Sequence, residues 1–248
     1  MKPADTGGSP SPLEAAALEL AGLHGATVDD PGHLPVRTGV EPMKRWLKRA
    51  LKAAAEPPPE STKAAEWLLD NTFHLQKAIR LADKDMPAGF YRRLPGLRIA
   101  ADSPLPRIFC VAHGLLHASR LQLTSYSVVR YLEAYQQREP LSIAELWALP
   151  TMLRLACLEI LVCAFSRLFP DIKPPFRPTS LASLEEAFDD TECTARAIAN
   201  LAVISSIGWR DVFDAVSLVE RELRKDPAFF YGQMDFETRD SCRKAVER

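Results

Sequence analysis

His113 and His117 stand four residues apart in "HGLLH", the spacing at which one helical face presents two imidazoles to a common metal ion. A zincin helix places Glu directly after the first His as general base. That position is Gly114, and no third ligand is evident. The pair reads as two neutral histidines on a helix flank, and no metal is assigned. The densest polar stretch is "SLVERELRKDPAFFYGQMDFETRD", residues 217–240. Its acids, Glu220 and Asp235 among them, could serve a glycoside as a catalytic pair only if they faced each other across a cleft at a set separation. Glu220 and Arg224 are four apart in the favourable order, so an interhelical turn pinned by ion pairs and aromatics accounts for the same residues.

The run "EEAFDDTE", Glu185 to Glu192, has five carboxylates without the spacing or the glycine of an EF-hand loop. It reads as a solvated first helical turn, where acids complement the helix dipole. There is no GxSxG, no phosphate-cradling glycine loop and no Cys–His pair in a recognisable frame. No catalytic residue and no cofactor is therefore assigned. A different chemistry sits in "MKRWLKRALKAAA", where Lys44, Arg45, Lys48, Arg49 and Lys52 surround Trp46. These six residues are candidates for contact with an anionic membrane surface or an acidic partner. The competing reading is a solvated basic face whose opposite stripe (Trp46, Leu47, Ala50, Leu51, Ala54) docks on the main domain.

The elements that must hold these residues are helical. In "KAAEWLLDNTFHLQKAI", Ala64, Leu68, Leu75 and Ile79 fall at helical spacing, with Trp67 and Phe73 widening the stripe and Asp70, Asn71 and His74 near its edges. Further helices are expected at about Pro106–Arg120, Ser125–Gln137, Ile143–Phe169, Leu181–Ser206 and Arg210–Lys225, with a last one from about Thr238. Ser11 and Ser142 each begin a capping box, with Glu14 and Glu145 three residues on. Pro150 is expected to kink or split the long central helix. No alternating strand and no fixed-period repeat stands out, so the fold is expected to be all-α: an irregular bundle of about seven to nine helices. Residues 1–60, rich in Pro and Gly, are expected to be a partly disordered tail with two short helices, and 61–248 the helical domain.

Composition narrows the classes. A net charge of −1 over 248 residues gives no electrostatic ground for nucleic-acid binding. Five scattered cysteines without a CxxC pair suggest neither disulfides nor zinc, and the amino terminus lacks a signal-peptide core. The longest apolar run, 149–169, contains Arg154, Glu159 and Arg167, so a buried helix is expected in place of a membrane span. A cytoplasmic, reduced protein follows.

Five pieces in order, "AAEWLLDNTFHL" (64–75), "YRRLPGL" (91–97), "LSIAELWALPTMLRLACLEIL" (141–161), "IGWRDVFDAVSLVERELRKDP" (207–227) and "YGQMDFETRDSCRKAVE" (231–247), resemble the amino-terminal region of cyclic β-1,2-glucan synthases. The resemblance runs from about Lys63 onward. It implies a region ahead of a membrane-embedded, UDP-glucose-dependent transferase, apart from the domains that carry the family's chemistry. It also implies a place at the cytosolic face of a bacterial inner membrane, with downstream domains or a protein as partner and the membrane touched only peripherally or through segments not in this sequence. Segment 169–195 is shorter than the family's insert, and the family continues the helix that Arg248 interrupts, which implies a fragment or a shortened reading frame. Within the matched pieces, Asp70, Asn71, His74, Arg154, Arg210, Asp211, Glu220, Asp235, Arg239 and Asp240 are the candidates for partner contact, or alternatively for internal ion pairs and caps. The expected function is a non-catalytic module of a synthase-like protein. The alternatives are a free-standing protein- or glucan-binding module and, least favoured, a small glycoside-active enzyme.

Overall fold

The computed structural model describes residues 9–99, 103–182, 188–227 and 229–246. Helix α1 (Pro12–Leu23) begins with the expected capping box: Ser11 accepts from the Glu14 amide while Glu14 accepts from the Ser11 amide and hydroxyl. A short α2 (Pro35–Thr38) leads into α3 (Val40–Ala54), followed by α4 (Thr62–Asp70), α5 (Thr72–Lys84) and the one-turn α6 (Ala88–Tyr91). Next come α7 (Arg107–Ala118), α8 (Ser125–Tyr135) and the long α9 (Ile143–Leu168). The chain ends with α10 (Asp190–Ser206), α11 (Trp209–Val216), α12 (Leu218–Leu223) and α13 (Phe236–Val246).

The all-α expectation holds, with more pieces than foreseen: thirteen helices among the described residues. Two expected helices divide. The stretch from Lys63 to Ile79 breaks at Asn71, which leaves helical geometry at φ −109°, ψ 18° while its side-chain amide donates to the Trp67 carbonyl. Arg210–Lys225 breaks at Ser217, in extended geometry, whose hydroxyl caps α12 at the Glu220 amide. Two α-helices are four residues long. Pro150 does not divide α9, which runs unbroken through it over 26 residues. Most α9 side chains on both sides of Pro150 are buried, and this packing offsets the missing amide. Where no strand was expected, Gly96–Leu97 pairs antiparallel with Leu105–Pro106, and Val28 bridges to Gly96. A side chain at 96 would strike the Asp30 carbonyl at 2.1 Å, so this close approach requires glycine.

The centre of the core is α9, flanked by α7 and α10, with α5 also packed on it. It is long and apolar enough to cross a membrane, but 94% of its most apolar window is buried inside the molecule. Its charges find partners within the protein. Glu145, fully buried, takes a bidentate pair from Arg107 at 2.8 and 2.6 Å and also closes the Ser142 capping box. Glu159 accepts from the Thr179 amide and hydroxyl. Arg167 forks onto Asp190. A helix this apolar tolerates Glu145, Glu159 and Arg167 because these three are hydrogen-bonded, while Arg154 has only the Asp85 carboxylate at 3.7 Å.

The amino-terminal segment, expected to be a tail, belongs to this core over its described part. Ala17 and Ala21 of α1 pack against α7 and α8, Glu14 pairs with Arg130, and His24 Nδ1 meets the Tyr135 hydroxyl at 2.6 Å. In α3, Met43, Trp46, Leu47 and Ala50 are buried, and Trp46 meets Phe165 of α9 edge to face. The physical cause is the amphipathic stripe, which overrides the Pro- and Gly-rich linkers on either side.

Candidate functional site: a charge hub and a histidine-lined cleft

The carboxyl-terminal acids and arginines assemble into one hub. The turn at Ser217 aims α12 so that Glu220 points inward, with its side chain fully buried. Its Oε1 accepts from Arg224 Nε and Arg239 Nη1, both at 2.8 Å. Its Oε2 accepts from Arg243 Nη1 at 2.7 Å and the Tyr231 hydroxyl at 2.5 Å. Asp214 of α11 receives the same guanidiniums, from Arg243 at 3.0 Å, Arg239 at 3.1 Å and Arg224 at 3.4 Å. Asp240 completes the balance, 3.7 Å from Arg243, and holds the exposed Lys244 at 2.5 Å. Arg243, itself fully buried, lies over the rings of Phe213 and Phe236, each 4.8 Å away, and Trp147 of α9 stacks on Phe213 at 4.7 Å.

This geometry fixes the protonation of Glu220. Burial on its own pushes the carboxyl up, yet donors from Tyr231, Arg243 and Arg224 outweigh it and hold the group below its usual range. A carboxylate whose oxygens accept four donors has no proton to give a glycosidic oxygen and no free lone pair aimed at solvent. Asp235, exposed, accepts from the Thr238 amide at 2.8 Å and its hydroxyl at 3.1 Å at the start of α13, which lowers its pKa too. Neither acid of the imagined glycosidase pair is poised as a general acid.

The two histidines of "HGLLH" border a cleft of about 710 Å³ between α1, α7 and the loop after Thr179. His113 Nε2 lies 3.0 Å from Glu159 Oε2, and His117 Nε2 lies 3.1 Å from the Leu181 carbonyl. The Leu181 carbonyl can only accept, which places a proton on His117 Nε2. Burial, with His113 alongside, pushes the His117 pKa down to about 4, and burial does the same for His24 at the cleft's other wall. Both are neutral at pH 7. Among the described residues no group of three His, Cys, Asp or Glu side chains could hold a metal ion.

The other candidates scatter. Asp70 is exposed at the end of α4, and Asn71 spends its amide on the helix break. His74 is half-buried with its ring edge against Phe73. Arg154 is buried 3.7 Å from Asp85, and burial lowers its pKa against the pull of that carboxylate. Arg210 lies over Phe236 at 4.8 Å, and Asp211 is exposed in the first turn of α11. Of the ten, the structure brings Glu220, Arg239 and Asp240 together. Asp214, Tyr231 and Arg243 are hub members that were not singled out, since nothing in their spacing relates α11 to α13. On α3, Lys44, Arg45, Lys48, Arg49 and Lys52 are all exposed. Trp46 is 1% exposed and is no contact for membrane or partner. Of the acidic run, Asp189 caps α10 by accepting from the Glu192 amide at 2.7 Å. Residues 185–187 lie outside the described residues.

No protein-family model matches the chain. Over 111 residues, 45% of its length, the chain is 38% identical to cyclic beta-(1,2)-glucan synthase NdvB of Rhizobium meliloti (strain 1021), of whose length it spans 4%. The chain is thus related, over that part, to a cyclic β-(1,2)-glucan synthase.

Proposed function

We infer that this chain is a non-catalytic helical module of a cyclic β-1,2-glucan synthase-like protein, serving as scaffold or regulator of a UDP-glucose-dependent glycosyltransferase at the cytosolic face of an inner membrane. The 38% identity to the glucan synthase carries the context of glucan synthesis. The commitment of Glu220 to three guanidiniums and a phenol supports the non-catalytic part, because the best-placed acids of the chain are spent on holding α11, α12 and α13 together. Its partners on this reading are protein: neighbouring domains of the synthase or a separate chain. The test is direct. The purified chain incubated with UDP-glucose is expected to release no UDP and to form no glucan. Turnover that copurifies with the folded chain overturns the reading.

A second reading, a free-standing module that binds a small ligand or glucan, draws on the histidine-lined cleft, whose size suits a small molecule. Saturable shifts of the His24 and His117 resonances with a β-1,2-glucan oligosaccharide would favour it. Unshifted resonances at millimolar glucan count against it.

A further inference from the structure

Helices α3 and α5 pack side by side and leave an open groove of about 620 Å³ between them. Each contributes residues at the i, i+3, i+4, i+7 spacing: Lys44, Leu47, Lys48 and Leu51 from α3, and Phe73, Gln76, Lys77 and Arg80 from α5. Seven residues at the α-helical rise make a trough about 10 Å long, two helical turns. Its floor is apolar. Leu47 and Ile79 lie deep, at 4% and 3% exposure, and Phe73 stands up from one side at 66%. Its rim is cationic: Lys44 and Lys48 on one bank, Lys77 and Arg80 on the other, with no carboxylate among the lining residues. Lys44 is paired with Glu41 at 2.6 Å, while Lys48, Lys77 and Arg80 have no ion pair among the described residues.

We propose that this groove is a docking site for an acidic amphipathic helix of a protein partner, its apolar ridge seated between α3 and α5 and its flanking carboxylates on the two basic banks. Two helical banks with a trough between them are what a third helix fills, ridge into groove. Charge selects the occupant: three cations without an ion pair among the described residues, Lys48, Lys77 and Arg80, stand with the Glu41-paired Lys44 around an apolar floor, and they repel a basic segment and complement Asp or Glu on both flanks. A flat anionic membrane fits less well. Leu47 and Ile79 are recessed behind the lysines, so only Phe73 projects far enough to enter a lipid surface, whereas a helix ridge reaches the floor. The proposal deepens the scaffold reading by naming the partner's chemistry, but its test involves no glucan and can fail separately from that reading.

The test is selection of binders to the full chain from a displayed library of amphipathic helices with a fixed leucine stripe and randomised flanks. It is repeated on the triple variant Lys48→Glu, Lys77→Glu, Arg80→Glu, whose changes are all on the rim and leave the floor intact. The wild type is expected to select flanks enriched in Asp and Glu, and the triple variant to bind those helices about tenfold or more weakly. Phe73→Ala should weaken them as well, without altering the melting temperature. Selected flanks without charge preference, or equal binding by the triple variant, overturn the proposal. So does cosedimentation with vesicles of 30% phosphatidylglycerol that the triple variant abolishes when no helix is selected, since the occupant is then the membrane.

Discussion

Arg243 donates to Glu220 across 2.7 Å with neither side chain exposed to solvent. One end of that bond belongs to α12 and the other to α13, so the pair ties the last helix of the described chain to its body. Glu220→Ala leaves Arg243 buried with only Asp214 and the more distant Asp240, and removing one partner of a buried pair costs about 3–5 kcal/mol. The expected outcome is a large drop in the denaturant midpoint, with α13 losing amide protection first.

The same hub sets a pH dependence. The folded pKa of Glu220 lies below its unfolded value, so its stabilisation is fully present above the unfolded pKa, 4.5, and is lost as pH falls through the folded value. His24 and His117 act in the same direction for another reason. Their folded pKa values, about 4, lie below the free value of 6.5, so the unfolded chain binds more protons between those limits. Stability should therefore decline from pH 6.5 to 4 and fall further below that. Urea midpoints across pH 3.5–7.5 check this, and His117→Asn should flatten the upper part of the curve.

Trp46 separates two uses of α3. Trp46→Ala removes a ring buried against Phe165 and should cost about 3–5 kcal/mol. Lys48→Glu or Arg49→Glu on the opposite face should change stability by no more than about 0.5 kcal/mol. Thermal melts of the three variants measure the contrast.

Asn200 carries a less obvious structural role. Its side chain accepts from the Leu123 amide at 3.1 Å and donates to the Leu121 carbonyl at 3.0 Å, clamping a turn in which Arg120 and Leu121 both have φ of 52°. Neither is glycine, so the backbone is strained there. Asn200→Leu frees two buried backbone groups and should lower stability by about 2–4 kcal/mol. Calorimetry of the variant, with hydrogen exchange at 121–123, reads the effect.

These residues show where sequence speaks and where it is silent. The capping boxes at Ser11 and Ser142 and the stripe of α3 were legible because their signal lies within one turn or one helix. That stripe also marked Trp46 as inward, against its place among the surface candidates. The breaks at Asn71 and Ser217 were missed because apolar period continues across them, and only the side-chain bonds made there favour a turn. The hub was half visible. Glu220 and Arg224 are one turn apart, but Asp214 and Arg243 meet only because Ser217 redirects the chain, a tertiary fact with no local spacing. The Arg120–Leu121 turn lacks the glycine that would have announced it, and its support, Asn200, lies nearly eighty residues away. Likewise the basic face of α3 was plain, but that it borders a groove depends on α5.

On the scaffold reading proposed above, the carboxyl-terminal acids hold the fold together and do no chemistry. The measurement that tests it most directly is a paired one on purified wild type and Glu220→Gln: melting temperature, and release of UDP from UDP-glucose or of glucose from β-1,2-glucan. The expected result is a clear fall in melting temperature for Glu220→Gln and no turnover by either protein. Turnover by the wild type that Glu220→Gln abolishes at an unchanged melting temperature would contradict it.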